Sequence, residues 1–370
     1  MERRLIIEQF DPERPKPGGI DTCIRGLVRY CPEEIELRIA GVDAVGNKKL
    51  GEWSQCNIGG RPILFMPLAR LDHANLRRKL PHSLHVAKGL LRYRPLRDAD
   101  VVQSHRINTG AVAMRLYAHA RHVQFLHWSG ADVVVGNESF FRRSPRLYRW
   151  FERSVIPRTV DTVVFNKAGA DRLRKLSHVV RFSPTWYDPE QFFPAESESS
   201  TKNRILWAGR IEPVKNPELA VEVMAKLPRC YSLTVAGSGT LESVMRESAK
   251  VSDAAGRIRF VGPVPKSEMG ELMRSHDLLM MTSRSEGFPR AVVEGLASGL
   301  PVVTTAAGEP NGLVKTGVNG ARVETDDADS FVRAVQVASQ VSAAAARASV
   351  SHLSADAVVP SVLRIPQSRD

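Results

Sequence analysis

Cysteine is scarce in this 370-residue sequence, and its few copies are poorly spaced for chemistry. Cys23, Cys31, Cys56 and Cys230 form no Cys-x-x-Cys pair and show no metal-ligand spacing. That excludes a cysteine-built metal site and reads as reduced thiols in a cytosolic protein. Long apolar runs are missing as well. No stretch approaches the roughly 18 residues that a membrane span requires. The opening Met1-Glu-Arg-Arg-Leu-Ile-Ile-Glu8 puts a carboxylate where a signal peptide would have its apolar run. The expectation is an intracellular chain that does not cross a bilayer. Beyond a two-halves logic, no internal repeat is visible.

What is present is an ordinary globular composition, 43% hydrophobic and 25% charged. The length suggests two domains, each large enough for its own core. The net charge of +12 is unevenly spread. Residues 1–190 carry 32 Lys and Arg against 20 Asp and Glu, so the whole excess lies there. Such a half is expected to meet an anionic partner. The plain alternative is a general taste for arginine, which explains the total better than the asymmetry.

Short apolar runs alternate with helical patterns, the mark of βα units and parallel sheets. In the first half, Arg4–Glu8, Leu37–Ala40, Pro62–Pro67, Val101–Gln103, Val123–His127 and Thr162–Phe165 read as strands. In the second half, Ile205–Ala208, Ser232–Ala236, Ile258–Val261, Leu278–Thr282, Pro301–Thr305 and Ala321–Val323 do. The expected class is α/β, with two Rossmann-like, doubly wound domains. The first spans residues 1–182. A proline- and serine-containing linker follows at 183–202, and the second domain spans 203–354. In open α/β sheets ligands bind at the carboxyl ends of strands. Each domain is therefore expected to carry a site at that edge, the two facing each other across a cleft.

The most informative stretch is Ser283-Arg-Ser-Glu286-Gly287-Phe288-Pro289-Arg-Ala-Val-Val-Glu294, closed by Ser298-Gly299. Two carboxylates stand eight residues apart. Pro289 suits the first position of a helix, and the helix is expected to stop near Ser298-Gly299. Glu286 then lies in the loop at the positive helix end, and Glu294 lies over a turn inside. Such an end attracts phosphate. A carboxylate beside phosphate would repel it, so both glutamates are expected to face hydroxyls. Hydroxyls plus phosphate describe a sugar nucleotide.

This stretch resembles the E-x7-E signature of retaining glycosyltransferases with the GT-B fold, close to glycosyltransferase family 4 (glycosyl transferases group 1). Gly209-Arg210…Lys215 resembles the family's donor-diphosphate segment, and Pro17-Gly18-Gly19 its N-terminal Gly-Gly loop. Pro184…Asp188…Phe193-Pro194 resembles its linker, and Val318-Asn319-Gly320 the Asn-Gly that closes the donor site. The resemblance implies that Arg210 and Lys215 bind the diphosphate, that Glu294 takes both ribose hydroxyls and that Glu286 contacts the donor sugar. It implies the same region for strand-end His127 and, more weakly, His105. Gly18, Gly19, Gly209, Gly237, Gly287 and Phe288 would line the nucleotide site. The last helix, about 355–370, would cross back to the first domain. Neither glutamate is read as a nucleophile; the family implies front-face transfer. Asn311 stands where many relatives have glutamate. The plain alternatives are solvated charge for Arg210 and Lys215, helix capping for Glu286, dipole stabilisation for Glu294 and a satisfied core role for each histidine.

Fixed cations and dipoles can stabilise a leaving diphosphate, so no metal or other cofactor is expected, only a UDP- or GDP-linked sugar as co-substrate. Asp98-Ala-Asp100 has the letters of a metal motif but precedes its strand. Arg70, Arg77, Arg78, Lys79, Lys88, Arg92, Arg94 and Arg97 form a basic segment, and Arg142, Arg143, Arg146 and Arg149 a second beside Phe140, Phe141, Tyr148 and Trp150. These suit an anionic membrane surface. No nucleic-acid motif accompanies them, and solvated helix faces are the alternative. The combined expectation is a cytoplasmic enzyme, peripheral on the inner membrane face. It would move a hexose from a nucleotide sugar to a lipid-linked or surface-glycan acceptor in cell-envelope polysaccharide synthesis. The rivals are a sugar-nucleotide 2-epimerase of the same architecture and a non-catalytic sugar-nucleotide-binding relative.

Overall fold

A computed structural model describes residues 1–14, 19–71, 82–127, 144–197 and 202–366. Gly18, Arg77, Arg78, Lys79, Phe140, Phe141, Arg142 and Arg143, all named above, lie outside the described residues. The chain divides into two compact units, Met1–Pro184 with Val359–Asp370, and Thr185–Val358.

The first unit is built on an eight-stranded sheet. Its strands are β1 (Glu2–Ile7), β2 (Ile35–Asp43), β3 (Ser54–Ile58), β4 (Arg61–Arg70), β5 (Val101–Ser104), β6 (Arg121–Leu126), β7 (Asp161–Val164) and β8 (Val180–Phe182). They lie in the order β3-β4-β2-β1-β5-β6-β7-β8. Every pairing is parallel except β3 with β4. Strands buried on both faces read as continuous apolar runs, and Leu5, Ile6 and Ile7 of β1 are fully buried. Strand order reverses between β1 and β5. The helices Gly19–Arg29 and Ile107–Leu116 follow those two strands.

The second unit carries six parallel strands, β9 (Arg204–Ala208), β10 (Ser232–Ala236), β11 (Ile258–Gly262), β12 (Leu278–Met281), β13 (Val302–Thr305) and β14 (Gly320–Val323). Their order, β11-β10-β9-β12-β13-β14, is that of a doubly wound dinucleotide-type sheet. The switch point falls between β9 and β12, which pair through Ile205 and Leu206. One side of this sheet is sealed by a core that includes Trp207, Leu219, Met224 and Phe331. The other is sealed by Val292, Val293, Leu296 and Leu353.

Several details differ from the sequence expectations. β3 and β8 went unread, because both are short edge segments without apolar alternation. The stretch read as a linker is substantially folded. Trp186, Tyr187 and Phe192 are buried, and Tyr187 bridges to Ser354. Pro289 is the N-cap of the helix Arg290–Ala297, one position before the expected place. Its φ of −76° and ψ of 103° are extended, and the helix needs that entry angle. The helix ends as expected, with Ser298 at the C-cap and Gly299 at φ +81°.

Candidate nucleotide-sugar site

The second unit gathers its chemistry at the β9/β12 switch point. After β9 the chain turns through Gly209 and Arg210 into a short 3-10 turn, Pro213–Lys215. That turn is tied to the end of β12. Thr282 donates its hydroxyl to the Lys215 carbonyl at 2.8 Å and accepts from the Trp207 indole N–H at 3.0 Å. The Arg284 amide donates to the Val214 carbonyl at 2.8 Å. The loop holding Lys215 and the loop holding Glu286 are therefore tied to each other.

This fixes an ion pair, since the Lys215 ammonium sits on Glu286 Oε1. The same oxygen accepts from the Ser283 hydroxyl at 3.0 Å. Glu286 is thus not left to face hydroxyls alone, as expected from sequence. Lys215 screens its charge, so a carboxylate can stand beside a phosphate site. Arg210 differs. It is exposed, and among the described residues its guanidinium has no hydrogen-bond or ion-pair partner. A fork of donors at the carboxyl end of β9 suits bidentate capture of an anion.

Glu294 lies inside the helix Arg290–Ala297 and is 9% exposed. Two cations approach its Oε1, Arg290 at 3.4 Å and Lys266 at 3.6 Å. Arg290 is itself anchored to the Thr185 hydroxyl at 2.8 Å and the Trp186 carbonyl at 3.0 Å. Burial, with the Arg290 charge adding to it, pushes the Lys266 ammonium down to about 8. Glu294 is therefore held ready as an acceptor, with its orientation set from one side.

The glycines divide by cause. At Gly237, φ is +145°, and a Cβ there would overlap the Gly209 carbonyl oxygen. Packing between two loops demands that glycine. At Gly209 a Cβ would meet only the Lys215 side chain, at 3.8 Å. The protein's own packing does not demand Gly209. Gly287 is buried, and its carbonyl accepts from the Asn311 amide at 3.2 Å. Phe288 packs against the second unit's core. Gly19 opens the helix Gly19–Arg29 in the first unit.

Sequence reasoning missed Glu309. Its carboxylate is fully buried and accepts the backbone N–H groups of Asn311 (3.0 Å), Leu313 (2.6 Å) and Val314 (3.2 Å). It organises the loop that brings Asn311 to Gly287. The only hint was a glutamate between Gly308 and Pro310. Asn319, expected at the donor site, is spent locally, on the Leu313 carbonyl at 2.9 Å and the Lys315 amide at 2.7 Å.

In the first unit, His105 and His127 come together at the ends of β5 and β6. His105 Nδ1 and His127 Nε2 are 3.1 Å apart. Burial drives the His105 imidazole down to about 4, against the opposing pull of Glu8. Among the described residues Cys23, His105 and His127 could hold a metal ion, with ligand atoms within 4.8 Å of one another. An N–H of one imidazole aimed at the lone pair of the other makes a hydrogen bond, and that nitrogen pair does not converge on an ion. The ring centroids are 5.3 Å apart and the planes 16° apart, so the short contact runs along the line joining the rings. Asp98 and Asp100 lie at the amino-terminal edge of the sheet, both paired with Arg3. That is the opposite edge from the strand ends that carry the histidines.

Two doubly wound units, the second with its charged groups at the switch point, define the GT-B class of sugar-transferring folds. Solved structures agree along the whole chain. Sucrose-phosphate synthase from Thermosynechococcus elongatus superimposes with a TM-score of 0.76 at 17% identity, covering 98% of this chain and 97% of its own. Anabaena HepE in complex with UDP and glucose gives 0.72 at 16%, covering 98% of each. WaaG, a glycosyltransferase involved in lipopolysaccharide biosynthesis, gives 0.70 at 15%, covering 97% and 98%. The family model described as glycosyl transferases group 1 matches residues 188–348. A D-inositol 3-phosphate glycosyltransferase from Mycobacterium marinum is 26% identical over 321 residues, which is 80% of this chain and 67% of that relative. One from Mycolicibacterium smegmatis is 32% identical over 153 residues, 40% of this chain and 35% of that relative. Residues 188–348 thus match the glycosyl transferases group 1 family, and the chain is an enzyme of the glycosyltransferase type.

Proposed function

We propose that this enzyme transfers a hexose, with retention and without a metal, from a nucleoside-diphosphate sugar to a hydroxyl of a phosphate-bearing acceptor. The observation that carries the reading is the β9/β12 switch point, whose loops carry Arg210, unpaired among the described residues, and the Lys215–Glu286 pair. As the glycosidic bond breaks, negative charge grows on the leaving diphosphate. Arg210 offers two parallel N–H donors to it, and Lys215 a point charge. Glu286 holds Lys215 in place and accepts a sugar hydroxyl, while Glu294 accepts from the ribose. Gly209, which packing does not require, lets backbone approach the phosphates. With Glu286 committed to Lys215 and Ser283, a front-face transfer fits better than attack by a protein carboxylate.

For the donor, the Anabaena relative that carries UDP and glucose supports UDP-glucose as the first sugar to try. For the acceptor, two lines converge on an anion. The matched mycobacterial enzymes are named for D-inositol 3-phosphate. All the net positive charge of this chain lies in residues 1–190. A membrane-borne phosphate glycan and a soluble polyol phosphate share that chemistry. No described helix is long and apolar enough to span a membrane.

The test is a thermal-shift panel of nucleotide sugars, since a ligand that binds only the native state raises the melting temperature. Turnover with inositol phosphates and with phosphate-bearing glycolipids follows, and the anomeric configuration of the product is read by NMR. An inverted product would remove the retaining assignment. Turnover without an acceptor to an epimerised nucleotide sugar would favour the 2-epimerase reading.

A further inference from the structure

Glu8 and Arg106 join the two strands between which the first sheet reverses its order. Glu8 follows β1, Arg106 follows β5, and Arg106 Nε donates to Glu8 Oε1 at 2.7 Å. The carboxyl edge of an open α/β sheet, at such a reversal, is where ligands bind. The Arg106 side chain is 35% exposed and that of Glu8 3%. Among the described residues the two terminal nitrogens of Arg106 make no hydrogen bond. Glu8 Oε2 is buried and has no hydrogen-bond partner either.

Arg106 is also the N-cap of the helix Ile107–Leu116, and its side chain caps nothing. The first turn of that helix holds no acidic residue. The N–H groups of Ile107, Asn108 and Thr109 are the orphan donors of a helix start, and nothing among the described residues accepts from them. Gly110 seats this turn on the strand ends, since a Cβ there would overlap Gln124 Oε1 and Ser104 Oγ. A cation at the positive end of a helix works against the dipole unless an anion joins it. Glu8 meets that need only in part. Burial opposes its charge, but Arg106, His105 and the Gln9 backbone together outweigh burial and hold its carboxyl below the ordinary value. Its single bond fixes Arg106 by Nε and leaves two nitrogens for a ligand.

We propose that these groups form a subsite of the first unit for the phosphate of a polyol phosphate. The phosphate oxygens accept from the terminal nitrogens of Arg106 and from the first-turn N–H groups. A hydroxyl of the same ligand donates to Glu8 Oε2. An ionised oxygen buried without a donor costs free energy, and that hydroxyl relieves it. Inorganic phosphate satisfies only the first half of the site. The proposal rests on the reading that the acceptor bears phosphate, and it names the groups that hold it.

The test is a titration of the full nitrogen-15-labelled chain, read by NMR at the Ile107, Asn108 and Thr109 amides. Reading there keeps phosphate bound at Arg210 out of the answer. D-Inositol 3-phosphate is expected to move all three signals, and at lower concentration than inorganic phosphate does. Arg106→Gln should weaken both ligands roughly tenfold or more, the scale of a lost charge-assisted pair. Arg106→Lys, which keeps the charge without the fork, should recover part of that loss. Glu8→Gln keeps the shape and should shrink the advantage of the polyol phosphate over inorganic phosphate. Phosphatidylinositol vesicles, added last, separate the two sources of such a phosphate. Displacement of the soluble ligand assigns the site to a lipid headgroup, and no displacement assigns it to a free polyol phosphate. Amides that stay still with both soluble ligands would overturn the proposal, as would unchanged affinities in Arg106→Gln or an unchanged advantage in Glu8→Gln. None of these readings needs a nucleotide sugar. If no nucleotide sugar binds while the amides move, the proposed donor fails and the subsite stands. If one binds while they stay still, the subsite fails alone.

Discussion

Lys215 and Glu286 form an ion pair across 71 positions of sequence, joining the loop after β9 to the loop after β12. Under the proposed function the pair would have two jobs. It would neutralise a carboxylate that would otherwise repel phosphate, and it would aim the ammonium at the diphosphate. Losing either member should therefore be costly in a characteristic way. Lys215→Ala is expected to lower kcat by roughly 100-fold or more, the scale of removing one preorganised charge-stabilising group. Arg210→Ala should do the same. Steady-state kinetics on folded variants check this, and normal turnover in both would remove the diphosphate assignment.

Glu294 should govern the nucleotide rather than the sugar. Glu294→Gln keeps size and removes charge, weakening bonds to hydroxyls by roughly tenfold in affinity. The free nucleoside diphosphate should show the loss as fully as the nucleotide sugar does. Calorimetry with both ligands decides the matter, and unchanged affinity for the free nucleotide moves Glu294 out of the ribose site.

Activity should survive metal removal. Arg210, Lys215 and the loop before the Arg290–Ala297 helix supply the charge stabilisation proposed for the leaving group. Turnover in excess chelator is expected to match the untreated enzyme. A complete loss that added metal restores would show that those cations are not enough.

Stability should fall on the acid side of neutrality. The unfolded His105 takes up a proton near 6.5, whereas burial holds the folded group down to about 4. Between those values the unfolded state binds more protons, so stability drops as pH falls from 6.5 towards 4. His122 and His276, also lowered by burial, act in the same direction. Melting temperatures between pH 7 and pH 5 should show this slope, and His105→Gln should flatten it. A slope identical to wild type would mean that His105 does not contribute.

The helix Pro145–Val155 presents Arg146, Arg149 and Arg153 alongside Leu147 and Trp150, which are 36% and 53% exposed. Near an anionic surface each basic residue contributes about 1 kcal/mol, screened by salt. Binding to anionic but not neutral liposomes is expected, weakening as salt rises. Arg146→Ser with Arg149→Ser should loosen it and leave nucleotide binding unchanged. Equal sedimentation with both liposome types would favour a soluble acceptor.

The second unit was largely legible before its structure. Its six strands announce themselves as apolar runs, and Glu286, Glu294, Arg210 and Lys215 lie in local motifs. Contacts between distant segments were not legible. Nothing near Glu286 in sequence says that Lys215 will neutralise it. Arg4 reads as one polar letter in a strand, and its link to Gln103 spans 99 positions. β3, Ser-Gln-Cys-Asn-Ile, has no alternation to read. Glu309 is found only by counting where its loop's N–H groups go, which requires coordinates.

The helix Ala355–Leu363 sets the order in which this protein can be finished. It begins among residues of the second unit and ends among those of the first. There Arg181, clamped by Asp161 at 2.7 Å, donates to the Val362 carbonyl at 2.9 Å. The ribosome makes the first unit's strands before the second unit, and this stabilising turn after it. The second unit, contiguous in sequence, is complete before the first is closed. The unit begun first is thus sealed after the second, and a stop codon shortly before Val362 would damage the half that was translated first.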